Sequence, residues 1–145
     1  MTRRIEPARR GERGTAVVEF ALVFPIVLAF VLGIIQYGYQ YWALETASAT
    51  AREAARSLIV GTDPACVVTV ARDRADQPAV GSTPPAVTIE YVNQSGLPHR
   101  GDLVRVTVRF QSLDLGLLPV PDDGWVEQTA TNRVENVPED PLPCT

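Results

Sequence analysis

Residues 16–35 read AVVEFALVFPIVLAFVLGII, twenty positions in which Glu19 is the single charge. A bilayer's hydrocarbon core is about 30 Å thick, and about 20 apolar residues in a helix span it. This stretch therefore predicts one membrane-crossing helix. A helix that is apolar all round could also be the core of a soluble fold, but too little chain remains to wrap one on every side. Pro25 and Gly33 interrupt the run. Lipid offers the backbone no other partner, so the helix is expected to persist with a kink near Pro25. Glu19 is the anomaly: a carboxylate in hydrocarbon costs a few kcal/mol near the centre and less near an edge, so it is a functional candidate unless it simply sits at the headgroup boundary.

On the N-terminal side, residues 1–13 hold five Arg (Arg3, Arg4, Arg9, Arg10 and Arg13) against two Glu, while the rest holds eight Arg against fifteen acids. The positive-inside rule keeps the basic end in the cytoplasm and sends the remainder outside. A cleavable secretory signal also begins basic and then apolar. Its best cut site, Ala47-Ser48-Ala49, lies well beyond Ile35, with Gln36, Gln40, Trp42 and Glu45 intervening, so a retained anchor is the better reading. The acidic remainder argues against nucleic-acid binding, which needs a basic patch to displace counterions.

On the C-terminal side, no proline occurs from Tyr37 to Leu58, and Ala, Glu and Arg favour continuation of the helix to a natural stop at Gly61. Tyr37, Tyr39, Tyr41 and Trp42 fall where an aromatic belt meets the outer interface. Ala43, Ala47, Ala51, Ala54, Ala55 and Leu58 mark one small-residue face. Asp63-Pro64 is a helix-start signal, predicting a short second helix over 64–75. Alternation follows: Val87, Ile89 and Tyr91 share one strand face, and Val104, Val106, Val108 and Phe110 share another, with Arg105 and Arg109 pointing away. Residues 125–134 form a third candidate strand, and the tail from Val137 is expected to be irregular, tied down only if Cys144 is bridged. The fold class is α+β. The segments expected are a leader over 1–14, a transmembrane helix over 15–36, its extension over 37–61, and a small extracytoplasmic domain over 62–145.

Cys66 and Cys144 share one compartment, and an even count in an exported small domain points to a disulfide. Closing a loop of that length contributes about 4 kcal/mol in the chain-entropy picture. Two unrelated thiols are the alternative. The chain shows no GxSxG, HExxH, P-loop or dinucleotide fingerprint, so no catalytic residue, cofactor or metal is expected. His99 reads as a solvated turn residue, and Asp122-Asp123-Gly124 as a turn lacking the further oxygen ligands of a calcium loop.

Gly14 followed by TAVVEFALVFP, with Glu19 five places on, resembles the processing site of prepilins and pseudopilins. Residues 32–61, LGIIQYGYQYWALETASATAREAARSLIVG, resemble the TadE-like family, minor pilin-like proteins of tight-adherence (Flp) pilus systems. The resemblance spans about residues 12–61, with a looser match through the closing TATNRVE at 129–135. It implies a pilin-like arrangement of a long helix on a small antiparallel sheet. It also implies that a prepilin peptidase cuts between Gly14 and Thr15, and that other pilin-like subunits and the Tad secretion machinery are partners. Thr15 and Glu19 are one helical turn apart, so the new α-amino group of one copy could meet the Glu19 carboxylate of a neighbour in the inner membrane. Glu19 is equally a candidate for recognition by the peptidase. The competing expectation is a permanently anchored extracytoplasmic binding module that is neither processed nor built into a filament.

Overall fold

The structure is a computed structural model that describes residues 11–80, 83–92, 98–116, 118–138 and 141–142. The chain divides into two units, Met1–Ile35 and Gln36–Thr145. One helix, α1 (Gly11–Ile59), contributes to both. Within the first unit α1 runs through Pro25, whose missing N–H leaves the Ala21 carbonyl without its helical donor. The helix carries its large apolar side chains outward on every side: Val17, Phe20, Leu22, Ile26, Phe30 and Ile34 are each more than half exposed. An 18-residue window of this segment has a mean hydropathy of 2.7 and only 6% of it is buried. That surface is stable against lipid, not water, and it fits a single membrane pass.

In the second unit the same helix becomes amphipathic. Gln36, Gln40, Ala43, Ala47, Thr50, Ala51, Ala54, Ala55 and Leu58 are buried, spaced by threes and fours along one face. The face is built mostly from methyl groups, so a neighbouring layer can approach closely. α1 ends in a Schellman arrangement, with the Thr62 N–H donating to the Ser57 carbonyl (3.1 Å) and the Gly61 N–H to the Leu58 carbonyl (3.2 Å). Gly61 adopts φ +95, a backbone conformation natural to glycine. α2 (Pro64–Asp76) follows directly, capped by Asp63, whose carboxylate accepts from the Ala65 N–H at 2.9 Å, with Pro64 in the first turn.

Three strands, β1 (Ala86–Val92), β2 (Leu103–Gln111) and β3 (Trp125–Arg133), form an antiparallel sheet in the order β1-β2-β3. Val87 pairs with Val108 and Ile89 with Val106, while Val126 pairs with Phe110 and Ala130 with Val106. Strand periodicity puts all of these on one face. Val104, Val106, Val108, Phe110 and Val126 are essentially inaccessible and join the alanines of α1 and Val67, Ala71 and Ala75 of α2 in a single core. Each of those valines contributes roughly 1.5–2 kcal/mol by burial. The opposite face is wet. Arg105 lies 3.7 Å from Glu90 and Arg109 lies 3.8 Å from Glu127 and 4.7 Å over the Trp125 ring, and the Thr107 and Thr129 hydroxyls meet at 3.0 Å. Such exposed pairs add little stability and chiefly fix strand register.

The α+β class, the second helix and the three strands agree with expectation. The tail differs in part. Its described residues form no helix or strand, yet main-chain bonds hold it: Leu142 exchanges bonds with Gly61 and Asp63 (2.9 and 3.0 Å), and just ahead of the tail the Glu135 and Asn136 N–H groups both donate to the Ile59 carbonyl (3.3 and 3.0 Å). A helix leaves its last carbonyls without partners, and the tail supplies donors at that place.

Candidate functional site

The residues singled out by the sequence lie in two places. Gly14, Thr15 and Glu19 belong to the first unit. Gly14 lies within α1 and is a helical residue, not part of a loop. A Cβ added at Gly14 would meet nothing within 4 Å, so the fold does not demand glycine there. Glu19 stands one turn beyond Thr15, fully on the exposed surface, with no ion pair to it among the described residues. Phe20 and Phe24 stack beside it with ring centroids 5.3 Å apart, so the carboxylate emerges from an aromatic and aliphatic surface. In hydrocarbon that arrangement carries an energetic cost that a positive partner from outside the chain would remove.

Cys66 belongs to the second unit, partly buried in the first turn of α2. Cys144, its expected partner, lies outside the described residues, as does the leader with Arg3, Arg4, Arg9 and Arg10. Leu142 is described, and its parallel bridge with Thr62 holds the tail beside the turn that leads into α2.

His99 sits in an exposed turn, 3.3 Å from the Asp102 carboxylate, which also accepts from the His99 main-chain N–H at 3.0 Å. Asp122 and Asp123 both have φ +51 and occupy a short 3-10 turn (Pro121–Gly124) that leads into β3. Among the described residues no group of three or more His, Cys, Asp and Glu could hold a metal ion.

Two residues with a clear structural role escaped the sequence reading. Gln36 is fully buried, and its Nε2 donates to the Leu118 carbonyl at 3.0 Å. Gln40 is nearly so, and the Oε1 atoms of both glutamines have no hydrogen-bond partner among the described residues. Beside them the Tyr37 hydroxyl donates to the Pro119 carbonyl (2.7 Å) and the Tyr39 hydroxyl to the Pro78 carbonyl (3.2 Å). The signal was present, since Gln36 and Gln40 continue the 43, 47 spacing backwards, but their polarity disguised a buried stripe.

Residues 14–56 match the family model described as TadE-like protein. This is the family that the N-terminal motifs resemble, and the match begins at Gly14. No curated protein and no solved structure matches the chain.

Proposed function

Taking the TadE-like match over residues 14–56 as the premise, we propose that this chain is a non-catalytic, minor pilin-like membrane subunit that takes part in assembling a tight-adherence (Flp) pilus. The observation that carries this reading is Glu19 on the lipid-facing surface of α1 without an ion-pair partner among the described residues, five positions after the glycine where the family match starts. Prepilin peptidase cuts between Gly14 and Thr15, and the new ammonium group at Thr15 answers the Glu19 carboxylate of a neighbouring pilin-like subunit. Such a pair inside lipid sets the axial register of two helices, because breaking it leaves an uncompensated charge. The absence of any packing demand for glycine at position 14 supports a requirement imposed by an external protease. The basic leader stays in the cytoplasm and the second unit lies outside the inner membrane, where Cys66 and Cys144 pair.

The test is the N-terminal sequence of the protein from a native host with its secretion genes intact. A start at Thr15, with piliation lost in Glu19→Ala while the chain still accumulates in the membrane, is the expected result. An intact leader in a host that assembles pili would favour a permanently anchored module instead.

A further inference from the structure

We propose that the second unit carries a binding site for a neutral saccharide, in the cleft between α1, the turn Pro121–Gly124 and the start of β3. The cleft holds about 450 Å³, within the range of about 300–1,000 Å³ that small-molecule sites occupy. It lies wholly within Gln36–Thr145, so the proposal depends neither on how the chain meets the membrane nor on pilus assembly.

Gln40 marks the site. It lines the cleft from α1, is 4% exposed, and its Oε1 has no hydrogen-bond partner among the described residues. A buried amide oxygen left without a donor is costly, and native folds rarely keep one without a reason. A half-turn of the terminal amide exchanges Oε1 with Nε2, so Gln40 can answer a guest's donor or its acceptor. The rest of the wall is held in place. Trp125 lines the cleft and is partly exposed, and the Arg109 guanidinium lies 4.7 Å over its ring and 3.8 Å from the Glu127 carboxylate, which fixes the ring's orientation. Asp122 and Asp123 both adopt φ +51, a left-handed conformation uncommon outside glycine, and hold two exposed carboxylates at the cleft without an ion pair among the described residues.

The chemistry selects the ligand. Three carboxylates against one arginine turn away phosphates and other anions. A cation fits less well than a neutral guest, since Arg109 already occupies the Trp125 ring and pairs with Glu127. A sugar hydroxyl both donates and accepts, and the cleft answers both: its carboxylates accept, its guanidinium donates, and the amides of Gln40 and Gln128 do either. Hydrogen bonds to the charged groups are the stronger ones. The C–H face of a pyranose ring needs an apolar surface, and the uncovered part of the Trp125 ring together with Leu44 supplies it. Because the guest is neutral, binding is insensitive to salt.

Saturation-transfer difference NMR tests this on the full chain in phosphatidylcholine vesicles, with the protein's aromatic protons saturated and protein-free vesicles as the blank. The probes are glucose, galactose, mannose, N-acetylglucosamine, cellobiose and lactose, with sorbitol as an open-chain control and spermidine as a cationic one. Transfer to the ring C–H protons of at least one cyclic sugar is expected, with a Kd below about 10 mM that is the same at low and high salt. Asp122→Asn keeps the side chain's shape and tolerates the left-handed backbone, and it should weaken that Kd about three- to tenfold; Gln128→Ala should weaken it by a similar factor. Thr131→Ala, on the wet face of the sheet, should leave it unchanged. No transfer to any cyclic sugar, transfer no greater than to sorbitol, or a Kd unmoved by both cleft variants overturns the proposal. Salt-sensitive binding of spermidine with the sugars silent overturns it as well and makes the cleft a cation site. If Asp122→Asn does not fold, Gln128→Ala decides by the same rule.

Discussion

Gly61 shows how much one position is asked to do. It ends α1, its φ of +95 turns the chain into Asp63, and a Cβ there would run into Cδ and Cγ of Pro138 in the tail. Gly101 has nearly the same φ, +94, but open space around it. Gly101→Ala should therefore cost about 1 kcal/mol, the conformational penalty alone. Gly61→Ala should cost about 1–2 kcal/mol more, because the tail must also shift. Denaturant titration of both variants in detergent micelles checks the difference, and equal losses would mean that the Pro138 contact is immaterial. The helix stop at Gly61 was legible in the sequence from residue type and position. The contact with Pro138 was not, since nothing local links positions so far apart.

Among the elements, α1 carries the most information in its pattern of small residues. Ala47 is fully buried in the core, while Ala49, two positions on, is exposed. Ala47→Leu should destabilise the fold by about 1–3 kcal/mol through overpacking, and Ala49→Leu should stay within about 0.5 kcal/mol of the parent chain. Thermal unfolding followed by circular dichroism separates them; equal effects would mean the alanine face is not a close-packed contact. The alanine spacing from 43 to 58 made that face readable in advance. The alternation of Val104, Val106, Val108 and Phe110 did the same for the central strand. Pairing order and register were out of reach, because they are set by contacts between strands joined through loops whose turn chemistry leaves several registers open.

For the whole molecule, the main-chain clasp of Leu142 onto Gly61 and Asp63 brings the tail to the turn before α2, which carries Cys66. Cys66 is not a free thiol, and Cys144 is the expected other half of its bridge. Mass measurement after alkylation without reductant is expected to show no modified cysteine, and the double Ser variant should lose about 2–4 kcal/mol. Two alkylated thiols would sink the pairing. The candidate residues differ from the fold in how they could be read. Gly14, Thr15 and Glu19 were legible only as a motif in the sequence.

A core built from alanine and valine has a thermodynamic signature of its own. Apart from Phe110 and Leu58, the buried apolar side chains among the described residues of the second unit carry three carbons or fewer. Unfolding then exposes little apolar surface per residue, and the heat-capacity step falls below the usual figure of about 12–15 cal/mol/K per residue. The curve of stability against temperature should therefore be flattened, with the stability of the second unit varying little from cold to warm conditions.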